Sequence, residues 1–194
     1  MHEQVTSIIL TGVGGQGTVL AGRILSRAAA SLGKEVKVAD LHGMAQRGGS
    51  VITHVRFGPK VYSPVIASGT ADYLVAFEKL EACRCLPFLK PEGVLIVNNQ
   101  EIPPLPVLIG AASYPRQLLE ILDMYVEKLV IVDALKKAKE AGTVKAVNMV
   151  LLGVLARHLS IPKECWEEAI LTSVKPEFQE VNLRAFSLGW ETES

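Results

Sequence analysis

Cysteine is scarce in this chain of 194 residues: Cys83, Cys85 and Cys165 are its only three. An odd number without a secretory signal argues against a disulfide framework. A [4Fe–4S] cluster normally takes four cysteine thiolates, so this chain alone is not expected to ligate one. Cys83-Arg84-Cys85 falls in an expected helix, where residues two apart face different ways and make a poor metal clamp, and no metal site is expected. Charge of one sign is also missing, because Lys and Arg number 20 and Asp and Glu number 20. With no global field, neither nucleic acid nor an anionic membrane is an expected partner, and any anion site must be local. Hydrophobic residues make up 49% of the chain, yet no apolar run approaches the roughly 20 residues of a membrane span. Met1-His2-Glu3-Gln4 has neither a basic n-region nor a cleavable apolar segment, which sets the expectation of a cytoplasmic protein.

What is present is an alternation of short β-branched runs with helical periodicity. Residues 5–10 read as a strand, residues 12–17 as a glycine-rich turn, and residues 18–32 as a helix with Leu20, Ile24, Leu25 and Ala28 on one face. Gly33 closes that helix, and residues 35–40 read as the second strand of a βαβ unit. Residues 51–57 alternate, and Gly58-Pro59-Lys60 leads into Val61-Tyr62, which suggests an antiparallel hairpin inserted beside parallel strands. Further strands are expected at 73–76, 94–97, 107–109 and 129–132, with helices around 79–89 and 117–125. The proline cluster at 102–106 punctuates the sheet without the length of an interdomain linker. The expectation is therefore an α/β fold over residues 1–194 as one domain. Its core is a Rossmann-like, doubly wound mixed sheet, mostly parallel with an antiparallel hairpin, and a helical C-terminal tail covers about 145–190. The tail carries more apolar residues than one packed face requires. Some of Val150, Val154, Trp166, Phe178, Phe186 and Trp190 are thus expected at a subunit interface, against the plainer alternative of a well-filled core.

Two constellations could carry chemistry. Gly12, Gly14, Gly15, Gln16 and Gly17 make up a G-x-G-x-x-G turn between strand and helix, where missing Cβ atoms admit a phosphate and the helix N-terminus offers N–H groups. The bland alternative is a tight turn in an α/β fold. Asp40, at the end of the second strand, stands where a dinucleotide site would take its ribose hydroxyls, and supports a rival reading as a stand-alone NAD(P)-dependent oxidoreductase or nucleotide-binding module. The second constellation is Gln46, Arg47, Gly48, Gly49 and Ser50, a glycine-rich loop whose one full charge could clamp a phosphate or carboxylate. Both loops should lie at the carboxyl ends of neighbouring strands and could share one anion. His42 and His54 lie nearest to them, without a readable Ser/His/Asp or Cys/His arrangement; His54 is expected at a polar edge or subunit interface. No catalytic residue is assigned.

The residues ILTGVGGQG at 9–17, HGMAQRGGSVITHVRFG at 42–58 and VYSPVI at 61–66 resemble the gamma domain of 2-oxoacid:ferredoxin oxidoreductases over nearly the whole chain, including Asn148 and Gly153. The segment 103–110 with Ala112-Ser113-Tyr114-Pro115 is most similar to the beta subunit of indolepyruvate ferredoxin oxidoreductases. This resemblance implies oxidative decarboxylation of a 2-oxoacid with coenzyme A, giving acyl-CoA, CO₂ and reduced ferredoxin. It implies that thiamine diphosphate and iron–sulfur clusters reside in a large alpha subunit, and that this chain holds no cofactor and has no activity alone. It also implies that ferredoxin is reached through the complex and that the two loops complete a coenzyme A path. The oxoacid and the stoichiometry stay open.

Overall fold

The computed structural model describes residues 5–43 and 48–192. The strands β1 (Thr6–Val13), β2 (Glu35–His42), β3 (Ser50–Gly58), β4 (Ala71–Ala76), β5 (Leu89–Asn98) and β6 (Lys128–Val132) form one sheet in the order β2-β3-β1-β4-β5-β6. β1, β4, β5 and β6 run parallel, while β3 is antiparallel to both its neighbours. Strands covered on both faces read as continuous apolar runs, and β1 and β5 do so. The period of two sends Ile8 and Leu10 into one core layer and Ile9 into the other.

The larger layer holds α1 (Thr18–Ala30), α5 (Ala134–Ala141), α6 (Val147–Arg157), α7 (Lys163–Leu171) and α8 (Gln179–Trp190). The smaller holds α2 (Lys79–Cys85) and α4 (Leu118–Tyr125), and the short helix α3 (Leu105–Leu108) lies between β5 and α4. All of α6 from Val147 to Ala156 is buried, because α5 and α8 cover the side that the sheet does not. A Cβ at Gly189 would stand 2.0 Å from the carbonyl oxygen of Val150, and one at Gly153 2.1 Å from that of Phe186. α6 and α8 therefore cross backbone against backbone. No helix among the described residues is long and apolar enough to cross a membrane.

The doubly wound mixed sheet and helical tail match expectation, but several elements differ. The hairpin is β2–β3, joined through residues 43–49, and residues 61–62 are not a strand. That segment spends its backbone elsewhere: Val61 N donates to Glu35, Arg56 donates to Ser63 O, and Ile66 N donates to His54. Residues expected as a strand at 107–109 instead close the helical turn α3, whose N–H groups at Val107 and Leu108 donate to Pro104 O. Prolines at 103, 104 and 106 offer no sheet donors, so the turn is the better use of this backbone. Four of the six tail residues expected at an interface, Val150, Val154, Trp166 and Phe186, are buried within the protomer; Phe178 is exposed and Trp190 half-buried. Trp166 stacks on Phe186 in the large helical layer, so the apolar surplus fills a core.

Candidate functional site

α1 leaves β1 toward the larger helical layer and α2 leaves β4 toward the smaller one. This reversal between adjacent parallel strands opens a crevice at their carboxyl ends, the usual ligand position in open α/β sheets. The glycine turn lies at that edge. Gly17 enters α1 with φ +85°, a left-handed conformation that suits glycine, and no side chain caps the helix's first turn. A Cβ on Gly17 would come within 2.7 Å of Asn148 Nδ2.

The second loop meets the first. Gly14 N donates to Gly49 O at 2.8 Å, and Gly48 N donates to Gly14 O at 3.4 Å. Gly14, Gly15, Gly17, Thr18, Val19, His42 and Val51 line an open depression of about 350 Å³. Gln46 and Arg47 lie outside the described residues. Ser50 donates its hydroxyl to Glu81 Oε2 at 2.5 Å, while Arg84 pairs with Glu81 Oε1 at 2.5 Å and offsets the carboxylate's charge. Gly12 faces inward, where a Cβ would come within 2.9 Å of Gln16 Oε1 and Phe77 Cβ. The Gln16 amide accepts from Val13 N at 2.8 Å and donates to Phe77 O at 3.0 Å and to Gln100 Oε1 at 3.4 Å, tying the turn to the ends of β4 and β5. Of the expected site residues, the structure thus gathers Gly14, Gly15, Gly17, Gly48 and Gly49 at one edge, and Gln16 braces them from beneath.

Asp40 stands apart. Because β3 intervenes, β2 is two strands from β1, roughly 10 Å at the usual strand spacing. Its carboxylate accepts from Thr53 Oγ1 at 2.6 Å. The ribose position of a dinucleotide site, one strand from the glycine turn, is therefore not where Asp40 lies.

His54 is buried rather than at an edge or interface. Its Nδ1 accepts from Ile66 N at 3.0 Å, its ring stands edge-on to Phe88, and burial pushes its pKa down. The thiols of Cys83 and Cys85 are pushed up by burial, and Cys85 donates to Thr11 Oγ1 at 3.2 Å. Two further features carry weak sequence signals. Asn148 donates to Gly17 O at 3.4 Å and borders a second cavity of about 620 Å³, lined by Leu20, Lys145, Val174, Phe178 and Val181 among others. Glu78, almost fully buried, accepts from Glu81 N at 3.0 Å, from Ile102 N at 3.2 Å and from the Tyr114 hydroxyl.

The profile of the family described as pyruvate ferredoxin/flavodoxin oxidoreductase matches residues 7–192. The chain belongs to that family. Among its relatives in the family, indolepyruvate oxidoreductase subunit IorB of Pyrococcus horikoshii is 43% identical over 190 residues, covering 94% of this chain and 93% of the relative. The same subunit of Thermococcus kodakarensis is 42% identical over 190 residues, with 94% and 93% covered. A crystal structure of a keto/oxoacid ferredoxin oxidoreductase gamma subunit from Geobacter sulfurreducens superposes with a TM-score of 0.72 at 26% identity, covering 96% of both chains. The chain is thus the small subunit of a ferredoxin-dependent oxoacid oxidoreductase, an enzyme component and not a stand-alone NAD(P) dehydrogenase. The displaced Asp40 agrees with that assignment.

Proposed function

We propose that this subunit serves the oxidative decarboxylation of indolepyruvate or a related arylpyruvate, and that its glycine-rich edge receives a phosphate-bearing part of coenzyme A. A larger subunit holds thiamine diphosphate and iron–sulfur clusters, forms acyl-CoA and CO₂, and passes electrons to ferredoxin in the cytoplasm. Residues 1–194 act as one domain that completes the complex and contributes no catalytic side chain. The names of the relatives support the oxoacid.

The observation that carries the coenzyme A reading is the meeting of the two loops: Gly14 bonds to Gly48 and Gly49 beside the uncapped N-terminus of α1. Uncapped N–H groups and the positive end of the helix dipole favour an anion there. Gly14, Gly15 and Gly17 let it approach the backbone, Gln16 and Gly12 hold the turn, Gly48 and Gly49 meet Gly14 from the second loop, and Gln46, Arg47 and Ser50 are proposed from the sequence alone to add donors. Beyond Gly17 and Asn148, the mostly apolar second cavity has room for an uncharged part of the molecule.

Arg47→Ala in the assembled enzyme tests this reading. Removing one charge-assisted contact costs about 1.5 kcal/mol, roughly tenfold, and the loss should fall on the KM for coenzyme A and leave that for the oxoacid unchanged. An unaltered coenzyme A constant in a normally assembled enzyme rejects the shared pocket.

A further inference from the structure

We propose that residues 101–117 form a strap that docks, through the face carrying Leu105, Leu108 and Ile109, into an uncharged apolar groove on the larger subunit. This rests on the subunit role proposed above. From Ile102 to Pro115 the strap has no charged residue, although Glu101 and Arg116 flank it. Leu105 is 67% exposed, and Leu108 and Ile109 are each 69% exposed. Free protein surface is usually interspersed with charge, whereas the centre of an interface is depleted of it. Three large aliphatic side chains in water on one uncharged segment call for a cover that the described residues do not provide.

The strap is shaped in advance. α3 is closed by the carbonyls of Pro104 and Pro106, which accept from Val107, Leu108, Ala111 and Ala112, and Gly110 ends the turn at φ +74°. Glu78 anchors both ends of the excursion by accepting from Ile102 N and from the Tyr114 hydroxyl. An ordered apolar turn loses less freedom on docking than a floppy one.

Continuity with the candidate site identifies the occupant. The residue before the strap, Gln100, accepts from Gln16 of the glycine turn, and Glu78 caps the helix whose Glu81 holds Ser50. The strap therefore leaves the same carboxyl edge of the sheet as the loops. A subunit without catalytic side chains serves the reaction only if that edge faces the cofactor-bearing partner, and the strap is then carried against the same partner.

The test is assembly of the full chain with its co-expressed larger subunit. Leu105→Glu combined with Leu108→Glu should weaken association at least tenfold. Met124→Glu, at a residue 74% exposed on α4, should leave it unchanged. In the wild-type complex, amide exchange over residues 105–112 should slow relative to the free chain. Wild-type affinity in the double variant, unchanged exchange in the strap, or loss of self-association with intact complex formation overturns the strap alone. If the wild-type chain captures no larger subunit, both this inference and the proposed function fall.

Discussion

His54 shows how much a single side chain in this fold is committed to structure. Its Nδ1 accepts from Ile66 N, which leaves the proton of the neutral ring on Nε2, a buried atom without a partner among the described residues. Adding a second proton would set an N–H against the N–H of Ile66 and put charge among Phe88 and the smaller core layer. Burial accordingly lowers the pKa from the ordinary 6.5. With the folded value below the unfolded one, the unfolded chain binds the proton more readily. The stabilisation is complete above the ordinary value and is lost as pH falls from there through the folded value. His158 adds an effect of the same sign, from burial first and the nearby Arg157 second. The expected outcome is that the wild type loses stability as pH falls below about 6.5, with a shallower loss in His54→Gln. Urea unfolding on either side of that pH checks it, and parallel pH profiles for the two proteins would contradict it.

At the scale of elements, the contact between α6 and α8 is the tightest feature. At Gly189 the neighbours of an added Cβ are backbone atoms of Val150, which cannot swing aside as a side chain could. Gly189→Ala must push the helices apart, at about 3 kcal/mol or more, although alanine favours helices. Thermal unfolding should show a large drop in Tm, and a rise would mean that the helices do not cross so closely. Gly153 was visible in the sequence through the family resemblance, but its contact was not, because helical periodicity states which face is apolar and not how near two backbones come. The same limit explains the hairpin. Alternation at 51–57 identified β3, yet strand order is set by tertiary pairing, and the nearest glycine-proline turn pointed to the wrong partner. The glycine turn was legible because sequence-local geometry demands glycine at Gly17, whereas its meeting with Gly48 and Gly49 arises because antiparallel β3 starts beside the end of β1, and not because β1 and β2 are neighbours. The bracing by Gln16, Asn148 and Glu78 was hidden, since their partners lie between 24 and 131 residues away in these bonds.

Across the whole molecule, the chain offers a shaped edge and little chemistry. Its cysteines are few and Cys85 is buried, the anion-binding groups among the described residues of its glycine edge are backbone N–H donors, and His54 is locked as a structural acceptor. Under the proposed function, a protein so built contributes position and affinity, while carbanion and electron chemistry would belong to cofactors held in the larger subunit. A division of labour readable in one reconstitution follows. The purified chain is assayed for oxidation of indolepyruvate and phenylpyruvate with coenzyme A and a viologen acceptor, alone and after addition of the larger subunit. No turnover alone and full turnover on addition is the predicted result; sustained turnover by the chain alone, with contaminating partner excluded, would contradict it.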